Sequence, residues 1–370
     1  MKTGTALKRL PSKLIKIWYP ETPGSLFSPL RLILSFLSLF YRAAVFVRNR
    51  MYDLGILKET MLPCKVVSIG NITVGGTGKT PAVIMLAKML LAKGYRPAVL
   101  SRGYGGKAKS AVNVVSDGTI ILMSQAEAGD EPIMIAKSAA GVPVITGPKR
   151  AETGRYAIEN LKADVLILDD GFQHRGMHRD VDIVILDRER PFGNCRLLPG
   201  GPLREPPEAL QRANLILWRD SVPDGRYPRY CELGIGVFLP VLSLYLEPRD
   251  IVNAGTGEVY PLDNAKGKKV CAFAGIASPA SFKRTLETLG WELAAFIEFP
   301  DHYPYTKDDI SNIREQCAAS SSDIIVTTEK DGVRLTDFPD FLGDVFLLRG
   351  EVQMLPTREE FERTIFERLG

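Results

Sequence analysis

One run constrains this chain more than any other: CKVVSIGNITVGGTGKTPAVIMLAKMLLAKG, from Cys64 to Gly94. Lys65 to Ile69 is β-branched and apolar, which predicts a buried strand. Pro81 to Lys93 reads as a helix, with proline near its first turn and Gly94 as its stop. Between them lie Thr73, Val74, Gly75, Gly76, Thr77, Gly78, Lys79 and Thr80. The strict phosphate-loop pattern is G-x-x-x-x-G-K-[ST], and here Thr73 stands where the first glycine belongs. The physics survives that departure. Three glycines let successive backbone amides turn toward one anion. The start of the following helix adds partial positive charge. Lys79 can reach β- and γ-phosphate oxygens, and the Thr80 hydroxyl can ligate Mg²⁺. A plain strand–helix turn would leave Lys79 without a purpose, so a nucleotide-phosphate site is expected.

Residues 164 to 170, DVLILDD, form an apolar run ending in acid. A carboxylate leaving a strand's C-terminal edge beside a phosphate loop is placed to serve a metal ion. Adjacent residues of an extended chain point to opposite faces. Only one of Asp169 and Asp170 can therefore face the metal directly, and the other is free for substrate. Further short apolar runs follow at Pro97–Ser101, Val112–Ser116, Val142–Thr146, Val181–Leu186 and Leu215–Trp218. They predict an α/β sheet covered by helices on both faces.

A length of 370 residues suits two domains better than one. Apolar residues at 45% and charged residues at 24% exclude disordered and fibrous classes. A net charge of +4 implies no uniformly basic nucleic-acid face. Cys64, Cys195, Cys231, Cys271 and Cys317 lie far apart without a C-x-x-C pair. That pattern predicts neither a disulfide framework nor a zinc site, and fits a reducing cytosol.

The first fifty residues differ from the rest. Lys2, Lys8, Arg9, Lys13 and Lys16 precede Trp18 and Tyr19, and RLILSFLSLFYRAAVFVRNR follows Pro29. Only the ten residues Leu32 to Tyr41 separate Arg31 from Arg42, whereas a spanning helix needs ~20 apolar residues. Arg31, Ser35, Ser38, Arg42 and Asn49 fall on one helical stripe, leaving a wide apolar surface. This pattern predicts a cationic amphipathic helix lying in a membrane interface. The alternative is a helix packed on the core.

Seven segments in order resemble the tetraacyldisaccharide 4′-kinase family, the lipid A 4′-kinases. They are SIGNITVGGTGKTP (68–81), SRGYGG (101–106), GDEP (129–132), DDGFQHR (169–175), LLPGGPLREP (197–206), FPDHYPYT (299–306) and TTEKD (327–331). GGTGKT occurs in many nucleoside triphosphatases, but DDGFQHR, LPGGPLREP and DHYPY together are far more specific. The resemblance implies transfer of the γ-phosphate of ATP, with Mg²⁺, to the 4′-hydroxyl of a tetraacylated glucosamine disaccharide 1-phosphate. It also implies a monomer on the cytoplasmic face of the bacterial inner membrane, bound to an anionic lipid surface. By the same resemblance Asp130 is the base, His302 its partner, and Asp301 the residue that orients His302. Glu131 joins Thr80, Asp169 and Asp170 as a candidate on the metal side. The GDEP segment itself reads as a loop.

Arginine suits bidentate phosphate contact. Arg102, Arg150 and Arg204, with Tyr104 and Glu205, are thus candidates for the substrate, as are Asp170 and His174 for the sugar. Gln173 could serve beside His174. Arg188, Arg190 and Arg196 would face anionic headgroups. In the second half, Val237 to Pro261 predicts a two-stranded β-ribbon hinge. A β-α-β-α-β rhythm follows, with Ser278 as N-cap of a helix at Pro279, a second helix over Lys307–Ala319 and strands at Lys268–Phe273 and Asp323–Thr327. The expected organisation is a membrane segment (1–50), a phosphate-loop kinase domain (51–236), the ribbon (237–262) and a smaller α/β domain (263–370). The rival readings are a membrane-targeted switch ATPase and a kinase for another small molecule. The first is opposed by Val74, which stands where such ATPases carry a lysine.

Overall fold

The computed structural model describes residues 14, 17–19, 29–76, 78–219 and 239–370. Among these, thirteen strands form one sheet. They are Lys65–Gly70 (β1), Pro97–Ser101 (β2), Asn113–Ser116 (β3), Val144–Thr146 (β4), Val165–Asp169 (β5), Val181–Asp187 (β6), Leu215–Arg219 (β7), Val241–Asn253 (β8), Val259–Pro261 (β9), Lys269–Ala274 (β10), Glu292–Glu298 (β11), Ile324–Thr328 (β12) and Val345–Leu355 (β13). Across the sheet the order is β11-β10-β12-β13-β8-β7-β6-β1-β5-β2-β4-β3, with β9 beside β8. The longer helices are Pro29–Asp53 (α1), Lys79–Ala92 (α2), Asp130–Ser138 (α3), Arg150–Leu161 (α4), Pro279–Thr288 (α5), Lys307–Ala319 (α6), Glu329–Arg334 (α7) and Arg358–Leu369 (α8).

The sheet is covered on both faces because its strands alternate side chains of period two. In β1, Val67 and Ile69 pack with Leu86 and Leu90 of α2. Val66 points the other way, onto Leu100, Leu168 and Ala157 of α4. Each fully buried aliphatic side chain contributes about 1.5–3 kcal/mol. In the second half, Phe282 and Leu286 of α5 cover one face, while Ile310 and Ile313 of α6 cover the other.

Four findings depart from the sequence expectations. The ribbon is wider than a hairpin: β8 pairs with the returning β9 only at Asp250–Val252. Its long antiparallel partner is β13, from Ser243↔Leu355 to Asn253↔Phe346. β13 carries the chain end back to the first unit, so Phe361, Ile365 and Leu369 of α8 join the core beneath β1. Local periodicity could not reveal that return. Second, the GDEP acids open helix α3 instead of standing in a loop. Third, Cys271 of β10 and Cys317 of α6 are disulfide-bonded, with Cα atoms 5.4 Å apart. The tertiary packing of α6 on β10 brings together two cysteines 46 positions apart. Cys64 and Cys195 are free, and Cys231 lies outside the described residues. Last, Ser278 stands at the N-cap of α5, but its side chain makes no capping bond.

Helix α1 docks through its polar stripe. Buried Ser38 accepts from the Gly200 amide (2.9 Å), and Tyr41 donates to the Arg204 carbonyl (3.1 Å). Arg48 pairs with Glu205, Arg196 donates to Ser35, and Arg175 donates to the Asn49 carbonyl (3.1 Å). The opposite face leaves Leu32, Ile33, Phe36, Leu39, Phe40, Phe46 and Val47 exposed. The helix is long and apolar enough to cross a membrane, by length and composition alone. The basic residues Lys2, Lys8, Arg9, Lys13 and Lys16 lie outside the described residues.

Candidate active site

The C-terminal edges of β1 and β5 open onto one crevice. At its floor Gly75 (φ 125°) and Gly78 (φ 78°) adopt backbone that side-chain-bearing residues avoid. The loop is sewn to the segment 197–205. The Val74 amide donates to Pro202 (2.8 Å), Thr73 bridges Leu203, and the Arg204 amide donates to Ile72 (2.7 Å). Gly76 lies against the second unit, where an added β-carbon would meet Ala277 at 2.9 Å. Thr77 is outside the described residues. Helix α2 starts at Lys79, so Thr80 lies in its first turn, and unpaired amides there favour an anion.

The two adjacent acids at the end of β5 have different partners. Asp169 is buried and accepts from Ser101 Oγ (2.9 Å). Burial, then the neighbouring charges of Glu131 and Asp170, push its carboxyl up to about 7. Asp170 takes a left-handed backbone (φ 53°). Its Oδ2 accepts from Arg204 Nη1 at 2.7 Å, and Oδ1 lies 3.5 Å from Lys79 Nζ. Burial would raise this carboxyl, but Lys79 and Arg204 outweigh it and hold it at about 2. Among the described residues no three His, Cys, Asp or Glu side chains close a metal site alone. Mg²⁺ commonly takes one or two carboxylates and completes its shell with phosphate and water. A buried carboxyl crowded by two others, beside Thr80 in the first turn of α2, fits such an ion.

The second cluster joins the two halves of the chain. His302 Nδ1 meets Asp130 Oδ2 at 2.9 Å across 172 positions. Gln125 Nε2 donates to Asp130 Oδ1 at 2.5 Å, and Arg334 Nε stands 3.5 Å from Oδ2. Burial opposes the charge of Asp130, but the bonds from His302 and Gln125, with Arg334, hold its pKa below the usual carboxylate value. On the far side of the ring, His302 Nε2 lies 3.1 Å from Lys330 Nζ. An ammonium can only donate, so Nε2 accepts and the ring proton sits on Nδ1, facing Asp130. His302 itself is left-handed (φ 57°), its amide held by the Gly275 carbonyl (3.2 Å). Strain of that kind persists only where surrounding structure fixes it.

A family model described as tetraacyldisaccharide-1-P 4′-kinase matches residues 30–370. The chain belongs to the tetraacyldisaccharide 4′-kinase family. A relative from Syntrophus aciditrophicus bearing that name is 44% identical over 95% of this chain and 96% of its own. One from Anaeromyxobacter dehalogenans is 44% identical over 88% and 86%. The crystal structure of LpxK from Aquifex aeolicus in complex with ATP is 34% identical, covers 92% of this chain and 100% of its own, and superposes with a TM-score of 0.74.

Other residues singled out in the sequence distribute unevenly in this kinase. Arg102 and Tyr104 are exposed just past β2. Arg150 is buried at the start of α4, and Nη1 donates to the Gly147 carbonyl (2.7 Å). Burial lowers its pKa to about 10, with Asp169 opposing, so it stays charged at neutral pH. Burial and the charges of Arg150, Arg179 and Arg102 lower His174 to about 4. Gln173 donates to the Asn71 carbonyl (2.8 Å) and accepts from Arg204 (3.3 Å). Two expectations need correction. Glu205 does not line the crevice: it is wholly buried between Arg48 and Arg212, where it clamps α1 to the first unit. Asp301 is not the closest partner of His302, because its Oδ2 is 3.8 Å from Nε2, and its Oδ1 accepts from Lys330 at 3.3 Å. Lys330 lies between them. The site residues missed by sequence reading are Ser101, Gln125 and Arg334. Lys330 carries no role in the sequence reading. Their only signal was adjacency to motifs: Ser101 opens SRGYGG, and Lys330 falls within TTEKD.

Proposed function

We propose that this chain transfers the γ-phosphate of ATP to the 4′-hydroxyl of a tetraacylated glucosamine disaccharide 1-phosphate, with Asp130 as the base. Family membership supports the reaction. The observation that carries the assignment of the base is the 2.9 Å contact of Asp130 with His302. A buried carboxylate kept ionised by His302, Gln125 and Arg334 can accept the hydroxyl proton at Oδ1, where the incoming hydroxyl replaces the bond from Gln125. His302 donates from Nδ1 and orients Asp130. Lys330 fixes the His302 tautomer, and Asp301 acts on His302 through Lys330. Lys79 and the amides of Gly75, Gly76, Gly78 and Thr80 hold the nucleotide phosphates, while the Val74 amide, bonded to Pro202, fixes the loop. Thr80 and one of Asp169 and Asp170, with Glu131, would hold Mg²⁺, which when bound neutralises charge on the transferring phosphoryl group. Arg102, Tyr104, Arg150, His174 and Arg204 receive the substrate.

The exposed apolar face of α1 supports attachment to the cytoplasmic face of the inner membrane, where the lipid precursor resides. Transfer of labelled phosphate from ATP to a lipid A precursor, measured against basal hydrolysis, tests the reading. Hydrolysis without transfer would favour a switch ATPase and overturn it.

A further inference from the structure

Arg219 closes β7 and faces the phosphate loop from the side opposite the acids of β5. The sheet order puts β5 on one flank of β1 and β6 then β7 on the other. Lys79 and Arg204 both lean toward the β5 flank, tied to Asp170. Arg219 approaches from the β7 flank. Its Nη2 is fixed by Asp187 Oδ2 at 2.6 Å, and Asp187 is the register neighbour of Arg219 on β6. Asp187 is itself braced, its Oδ1 accepting from the amides of Glu189 (3.0 Å) and Arg190 (3.3 Å). The aliphatic stem lies along the loop, so that a β-carbon on Gly78 would stand 3.0 Å from Arg219 Cδ. Nη1 ends 3.5 Å from the Gly76 carbonyl, at the limit of a hydrogen bond. Nε is shut off from solvent without a partner.

A guanidinium held at one corner and only weakly engaged at the other is poised for a better acceptor. An anion seated on the loop amides would lie beside Nη1, and charge-assisted N–H···O⁻ bonds are about twice as strong as neutral ones. We propose that Arg219 is a nucleotide-contacting residue, donating from Nη1 to a phosphate oxygen of ATP while Asp187 holds Nη2. This rests on the phosphate-loop reading above and adds a cation on the flank that no sequence motif marks.

The test is calorimetric titration of the full-length protein with Mg·ATP and Mg·ADP, for wild type, Arg219→Met, Arg219→Lys and Lys79→Ala. KM is also measured for ATP and for the lipid precursor. Methionine keeps much of the stem against Gly78 and removes the charge. Arg219→Met should weaken both nucleotides by at least about tenfold, the scale of one charge-assisted bond. Arg219→Lys should recover part of the loss, and KM for lipid should stay within about twofold. Affinity of Arg219→Met within about twofold of wild type overturns the inference, as does a matching loss in lipid KM with a lowered melting midpoint, which would make Arg219 a brace of the fold. If wild type binds and Lys79→Ala does not, an unaffected Arg219→Met sinks this inference alone. If wild type fails to bind either nucleotide, the phosphate-loop reading fails with it.

Discussion

The two acidic clusters of the site are assembled in different ways. Asp169 and Asp170 leave one strand and meet Ser101, Lys79 and Arg204, all from the first unit. Asp130 meets His302 and Arg334, which reach it from the second unit. The first cluster exists once the β1–β5–β2 sheet has formed. The second exists only when α7 and the DHYPY loop sit over α3. Nucleotide binding should therefore tolerate disturbance of the second unit, and phosphate transfer should not.

The strongest way to break that division is a kinetic cycle on Asp130→Ala, His302→Ala and the double variant. If both act on one hydroxyl, each single change lowers kcat by roughly 10²–10⁴-fold, the range of general base catalysis. The double variant should be only slightly worse than the poorer single one, since residues acting as a unit are not additive. ATP affinity should hardly move. Multiplicative losses would mean that Asp130 and His302 work independently and the second cluster is no unit, and weakened ATP binding would shift Asp130 to the metal side. Next in size is Lys79→Ala. It removes a charge from the transferring phosphoryl group and should cut turnover by at least ~10²-fold. Unlike the Asp130 variants, it should also weaken ATP binding. A rate within a few-fold of wild type would remove Lys79 from the site.

The same contrast explains what could be read from the sequence. The phosphate loop, β5 and most core strands were legible because each is a contiguous apolar run with its own punctuation. Helix α6 matched its expected span, Lys307–Ala319, for the same reason, with Thr306 capping it through Asp309. Asp130 and His302 were named only through resemblance, since no local period pairs residues 172 positions apart. Arg334 and Gln125 were not legible: an arginine in a short helix and a glutamine in a polar turn look like surface. Glu205 misled because a carboxylate beside a candidate phosphate arginine looks functional. Only the docking of α1 shows it to be a buried ion-pair centre. The polar stripe of α1 was legible, though its partners were not: the stripe faces the protein and the apolar face is left outward.

A third comparison sets α1 against both clusters. Phe36, Phe40 and Phe46 stand on the outward face and contact neither acid. Replacing all three with serine should lower partition onto anionic vesicles by at least about tenfold, since each ring carries roughly 1.5–3 kcal/mol of burial when fully buried. Turnover on a soluble substrate analogue should stay within a few-fold. Unchanged vesicle partition would remove α1 as the anchor.

The smallest effect probes the field of the first cluster. His174 is held at about 4 by burial and by Arg150, Arg179 and Arg102, against an ordinary value of about 6.5. The unfolded chain thus binds this proton more readily than the native protein between pH 6.5 and pH 4. Native stability from this group is fully present above about pH 6.5 and is lost as pH falls toward 4. Urea midpoints should show that decline in wild type and less of it in His174→Gln. An anion seated among the same arginines should offset their field and raise the His174 pKa. Ring-proton NMR titrations with and without pyrophosphate read this directly. A free-protein titration near 6.5 would mean that the arginines do not surround His174, and the separation of a cationic phosphate side from a carboxylate base side would lose its electrostatic basis.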